Sequence, residues 1–194
     1  MISSILIDIP ENFSFRATVF SHGWCELRPF ELDEENWRLD YVFSVPDGPV
    51  ATSIFEESGK LRIDLDRAVA DPAEVIDQVG HILRLDEDLS GFYLAIEKTE
   101  RLRWVSERRA GRLLRSPTVF EDLVKTICTT NCSWGLTKSM VANLVEKLGR
   151  PNASGNRAFP TAEAMSSVGP EFYRDEIRAG YRSPYFVELA ESVA

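Results

Sequence analysis

Gly111-Arg112-Leu113-Leu114-Arg115-Ser116-Pro117, continued by Thr118-Val119-Phe120-Glu121-Asp122-Leu123-Val124-Lys125-Thr126-Ile127-Cys128-Thr129-Thr130-Asn131-Cys132-Ser133, decides how the rest of the chain is read. It has three parts: a basic lead-in, an amphipathic helix and a small polar tip. Ser116 before Pro117 is one possible helix start, an N-cap followed by proline at the first helical position. Thr118 with Glu121 three residues on is another, a capping box. Val119, Leu123 and Ile127 repeat every four residues, and Phe120, Val124 and Cys128 run beside them. The pattern predicts one apolar stripe, with Glu121, Asp122, Lys125 and Thr126 facing away from it. The helix ends in Thr129-Thr130-Asn131-Cys132-Ser133, small side chains rich in hydrogen-bonding groups, where a second helix is about to begin. A core helix needs no such tip; one that must approach another molecule closely does.

Outward from this stretch, the 194 residues allow one large domain or two small ones. No apolar run approaches bilayer length, and Asp8 and Glu11 interrupt the first apolar cluster, so neither a membrane span nor a signal peptide is expected. Three cysteines, Cys25, Cys128 and Cys132, are an odd number for a disulfide scaffold and lack metal-ligand spacing. The expectation is a reducing, cytoplasmic setting, with no metal and no cofactor. The net charge of −9 is unevenly divided: residues 1–97 carry −13 and residues 98–194 carry +4. The segment from Lys98 to Arg115 is the densest in basic side chains. That asymmetry is compatible with a nucleic-acid face on the second half, and equally with a solvated charged connector.

Period-two alternation predicts half-buried strands through Phe13, Phe15, Ala17 and Val19, through Leu39 to Val45, and through Leu61 to Leu65. Trp24 to Leu32 and Val50 to Phe55 are further expected strands. Pro46-Asp47-Gly48-Pro49 and Glu57 to Lys60 read as turns. From residue 72 the period becomes helical: Asp71-Pro72 opens a helix with Val75, Ile76, Val79, Ile82 and Leu83 on one face, and shorter helices follow near Ser90 and Leu102. His81 reads as a structural histidine. Beyond the central helix, Leu136, Met140, Leu144 and Leu148 mark a second one, stopped by Gly149 and Pro151. Thr161, Pro170 and Ser183-Pro184 open further helices. The fold class is therefore α+β. An antiparallel sheet with packed helices over 1–105 is followed by an all-helical segment over 106–194, incomplete at its carboxyl end.

Arg112-Leu-Leu-Arg115-Ser-Pro117, the helix, and Ile127-Cys-Thr-Thr-Asn131 resemble the start of the helical domain of the helix-hairpin-helix DNA glycosylases, notably the 8-oxoguanine and 3-methyladenine enzymes. Gly180-Tyr181-Arg182 is a second match, in the right order and spacing. The resemblance implies excision of a damaged purine from duplex DNA after the base is flipped out of the stack. It implies that Asn131, Tyr181 and Arg182 fill the gap: a slim amide, a flat ring and a guanidinium for the widowed base. Through the same resemblance His22 and Gly23, which break the strand alternation, become base-pocket candidates beside the bland reading of a hairpin turn. Arg112 and Arg115 become candidate phosphate contacts. The expected partner is double-stranded DNA with a damaged base, bound by a monomer at the nucleoid. No Pro-Gly-x-Gly turn occurs, and no aspartate stands where the family's catalytic one should. The chain thus looks like the first two thirds of such an enzyme, expected not to cleave by itself. The alternative is a non-catalytic DNA-binding or ligand-binding α+β domain.

Overall fold

The computed structural model describes residues 3–194. Five antiparallel strands form one sheet: β1 (Ser3–Asp8), β2 (Glu31–Asp33), β3 (Arg38–Phe43), β4 (Val50–Glu57) and β5 (Lys60–Leu65), in the spatial order β1-β5-β4-β3-β2. Leu39 pairs with Ile54, which pairs with Ile63, which pairs with Ile5, so one apolar row crosses four strands. One residue along, Asp40, Ser53, Asp64 and Ser4 form the corresponding polar row on the other face. The period-two pattern thus sorts the sheet into a buried face and a wet one. Helix α2 (Pro72–Leu83) covers the apolar face with Val75, Val79, Ile82 and Leu83. It is capped by Asp71, whose side chain accepts from Ala73 N.

The remaining helices are α1 (Phe15–Val19), α3 (Ser90–Ile96), α4 (Arg103–Glu107), α5 (Val119–Thr129), α6 (Trp134–Leu148), α7 (Ala162–Ser166), α8 (Pro170–Phe172, prolonged by a π-turn over Tyr173–Ile177) and α9 (Ser183–Val193). Two apolar clusters organise them. One lies under the sheet and takes in Leu114 from the lead-in; the other lies among α5, α6 and the last helices and takes in Leu27 from the amino-terminal half. Each cluster therefore borrows a fully buried residue from the other half of the chain, and Trp24 packs against both.

Three expectations need correction. Phe13 to Val19 is not a strand: Ser14 caps a short helix by accepting from Ala17 N, and Phe15, Thr18 and Val19 are its buried residues. Over five residues an i, i+3, i+4 pattern and a period of two overlap, and the cap decides between them. Trp24 to Leu32 is mostly not a strand either. Gly23 at φ 89° leads into a 3₁₀ turn over Trp24–Glu26, and only Glu31–Asp33 pairs. The strand β1 was not foreseen; Ile5 and Ile7 alternate too briefly to stand out until β5 offers an edge.

The third correction concerns α5. Thr118 is its cap, accepting from Glu121 N at 3.1 Å, but the buried stripe is rotated from the expected one. Val119 is 71% exposed, whereas Glu121 is 3% and Lys125 0% exposed. Glu121 does not reach back to complete the capping box. Its carboxylate lies 2.6 Å from Lys125 Nζ and accepts from Tyr41 Oη at 2.7 Å. Lys125 Nζ also sits 4.7 Å from the centre of the Phe30 ring and 5.7 Å from that of Phe159. The pair joins the sheet to the helical cluster.

Candidate nucleic-acid interface

The α5–α6 corner is built from local rules. Thr129 ends α5, Thr130 is its C-cap, and Ser133 caps α6 by accepting from Leu136 N at 3.3 Å. Asn131 between them has φ 46°, a left-handed conformation that asparagine tolerates better than most residues. This turns its side chain outward. A second corner forms where α8 ends: Arg178 at φ 66° and Gly180 at φ 59° reverse the chain into Tyr181-Arg182, just before α9.

The two corners meet. Asn131 Nδ2 donates to Tyr181 Oη at 3.2 Å, and Thr130 Oγ1 lies 3.1 Å from the same hydroxyl. Asn131 is exposed and Tyr181 is 55% exposed. Hydrogen bonds with Thr130 and Asn131, then the charge of Arg182, hold the Tyr181 phenol below its ordinary pKa. Arg182 differs from its expected role: it is 4% exposed, with its guanidinium 4.5 Å from the centre of the Tyr181 ring. Nε donates to Thr130 Oγ1 at 3.1 Å, one terminal nitrogen donates to Ala179 O at 3.3 Å, and the other bonds the Thr130 carbonyl. It is not free at the surface to meet a base.

His22 and Gly23 occupy a different part of the molecule's relief. The loop that carries them is tied to the helical half at several points. Trp24 Nε1 donates to Asp122 Oδ1 at 2.7 Å, Leu114 N donates to Ser21 Oγ at 3.0 Å, and Lys138 lies 2.8 Å from Glu26. A Cβ on Gly23 would stand 3.1 Å from the Trp134 ring, so the glycine permits both the positive φ and the close approach to α6. The His22 ring stacks on Trp24 with centroids 4.8 Å apart. Burial lowers its pKa, partly opposed by Asp122, which keeps the ring neutral near pH 7. Both residues line a cavity of about 680 Å³ with Phe20, Cys25, Phe30 and Leu32, rimmed by Glu26, Arg28, Glu31 and Glu34.

Arg112 is corrected outright as a phosphate contact. It is buried, with its guanidinium donating to the Asn12 and Glu87 carbonyls at 2.8 and 2.7 Å, to Asn12 Oδ1 at 2.9 Å and to Arg84 O at 3.3 Å. It pins the lead-in beneath α2 and α3. Arg115 donates to His81 O at 2.8 Å and remains half-exposed. The exposed arginines of the basic segment are instead Arg101, Arg103, Arg108 and Arg109, on and beside α4. Sequence reasoning missed the Glu121–Lys125–Tyr41 network; its only signal was a charged pair four apart, which normally marks a solvated helix face.

Among the described residues no helix is long and apolar enough to cross a membrane, and no three His, Cys, Asp or Glu side chains group as metal ligands. No protein-family model and no curated protein matches the sequence. Solved structures do match. The 3-methyladenine DNA glycosylase from Archaeoglobus fulgidus superposes with a TM-score of 0.77 at 20% identity, over 96% of this chain and 66% of that one. The apo form of the 8-oxoguanine glycosylase/lyase from Clostridium acetobutylicum gives 0.73 at 20% identity, over 100% of this chain and 66% of its own. MBOgg1, in complex with a low-affinity DNA ligand, gives 0.75 at 21% identity, over 98% and 62%. The chain thus spans just under two thirds of the length of these proteins and has their fold.

Proposed function

We propose that this chain, with the fold of the 8-oxoguanine and 3-methyladenine DNA glycosylases, binds duplex DNA at a damaged base and holds the duplex open with Asn131 and Tyr181. The supporting observation is the hydrogen bond between these two exposed side chains, brought together from positions fifty residues apart in sequence. Flipping a base out costs a few kcal/mol and leaves a hole opposite the partner. An amide can hydrogen-bond the edge left behind, and a ring can stack beside it for about 1–3 kcal/mol. Together they offset much of the cost.

The cavity beside His22 and Gly23 is the proposed receptacle for the extruded base, its neutral imidazole and apolar floor suited to an uncharged purine. Arg115 and the exposed arginines near α4 are the proposed phosphate contacts. For the whole protein the proposed reaction is hydrolysis of the bond between a damaged purine and its sugar. No residue of this chain is assigned to bond cleavage.

The test is binding of a duplex carrying a tetrahydrofuran abasic analogue against the same duplex undamaged, over a range of salt. The expected result is a preference for the abasic duplex that falls roughly tenfold in Asn131→Ala and in Tyr181→Ala, about one stacked or hydrogen-bonded contact each. The salt slope should not change, since neither side chain neutralises a phosphate. Equal affinity for both duplexes in the unsubstituted protein refutes the reading.

A further inference from the structure

The geometry points to Arg182 as a positioning residue: its guanidinium stays inside the protein, clamps the 129–133 corner to the 178–182 link, and so presents Asn131 and Tyr181 as one preformed wedge. This rests on the DNA reading of that edge. A guanidinium has five donors and no acceptor, and leaving it unpaired in a buried place is costly. Here the donors are used: on Thr130 Oγ1, on the Thr130 carbonyl and on Ala179 O. Swinging Arg182 out toward a base would give up three side-chain hydrogen bonds and remove the cation from the Tyr181 ring.

The hydrogen-bond directions then follow in one sense. Thr130 Oγ1 donates its single proton to Ile127 O at 2.8 Å, so it must accept from both Arg182 and Tyr181. With its own proton directed at Thr130, the Tyr181 hydroxyl accepts from Asn131 Nδ2. The chain runs Asn131 to Tyr181 to Thr130 to Ile127, with Arg182 as second donor at its centre. Asn131 is thereby held with its amide nitrogen inward and its carbonyl oxygen free. The wedge meets DNA as a neutral amide and ring, fixed before contact, and the arginine adds no charge to the tip. Preorganisation of this kind lowers the ordering cost of binding.

Two variants test it: Arg182→Lys, which keeps the stem and charge but cannot bond Thr130 twice and Ala179 once, and Thr130→Val, which removes only the hydroxyl junction. Affinities are measured for abasic-analogue and undamaged duplexes, with each of the four bases opposite, across salt. The Tyr181 ring resonances, assigned with Tyr181→Phe, are titrated in the free protein. Both variants should lose roughly tenfold in preference for the abasic duplex, the size of one charge-assisted hydrogen bond, equally for all four opposite bases. The salt slope should stay that of the unsubstituted protein, and the Tyr181 titration should shift in both variants, upward in Arg182→Lys as its Asn131 donor loosens. A loss confined to one opposite base in Arg182→Lys overturns the proposal, because the guanidinium then reaches the DNA. If the unsubstituted protein shows no preference for abasic duplex, the DNA reading fails. The clamp is then judged on Tyr181 alone, and an unmoved titration in both variants overturns it.

Discussion

Lys125→Met removes the cation from the buried network that joins the two halves. In the native protein Lys125 Nζ and Glu121 Oε1 lie 2.6 Å apart, and beyond each other these atoms have no further hydrogen-bond partner among the described residues. Glu121 Oε2 is held by Tyr41 Oη at 2.7 Å, and burial followed by the Glu121 charge pushes the Tyr41 phenol well above its ordinary pKa. Methionine fills the stem volume between Phe30 and Phe159 but leaves a carboxylate sealed in with one phenol. Breaking one partner of a buried pair costs about 3–5 kcal/mol, whereas replacing both is often close to neutral. Lys125→Met should therefore lose about 4 kcal/mol, or about 12 °C in Tm for a chain of this size. Glu121→Gln with Lys125→Met retains an acceptor for Tyr41 and should recover most of that loss. Urea unfolding followed by tryptophan fluorescence gives the three free energies and the coupling between the sites. A single variant within about 1 kcal/mol of the unsubstituted protein refutes the reasoning, as does a double variant no better than the single.

Three further outcomes follow from the same geometry. Arg112→Met should destabilise by about 3 kcal/mol in urea unfolding, because it orphans carbonyls at Asn12 and Glu87; retention of full stability would show that these bonds contribute nothing. Gly23→Ala should cost about 1–3 kcal/mol, since the residue must keep φ 89° with a Cβ 3.1 Å from the Trp134 ring; a neutral or stabilising result would mean that the loop relaxes freely. Burial lowers the pKa of His22, and of His81, below the ordinary 6.5, so the unfolded chain binds more protons just below that pH. Stability is then full above pH 6.5 and declines as acid is added through the folded-state values. His22→Asn should flatten part of that decline below about pH 6.5, read from urea midpoints; an unchanged slope refutes the assignment.

Most helices from residue 72 onward, most of their boundaries and the α5–α6 corner were legible along the chain because each depends on nearby residues. Ser133 and Thr161 cap where a hydroxyl before an apolar run should cap, each accepting from a backbone N–H three residues on. Asn131 stands at the tip because the two helices on either side of it are patterned so strongly. Its contact with Tyr181 was expected only through the resemblance; no periodicity connects residues fifty apart. Arg112 and Arg182 were misread for one shared reason. An arginine in a basic or loop segment reads as a surface cation, yet both reach backbone carbonyls distant in sequence, Arg112 at Asn12 and Glu87 and Arg182 at Thr130, which no local pattern announces.

The sequence by itself determined the strands β3 to β5 and, from residue 72 onward, where the chain turns helical and where most helices stop, because capping, turn chemistry and side-chain period act over three or four residues. Tertiary structure decided which side of α5 is inside. Two helix faces competed, one carrying Val119 and Leu123 and the other Glu121 and Lys125. The second is buried because Tyr41 supplies a donor and Phe30 and Phe159 supply ring faces, from strands and loops far away in sequence. A charge can be buried only where partners converge on it, and convergence is a property of the folded chain.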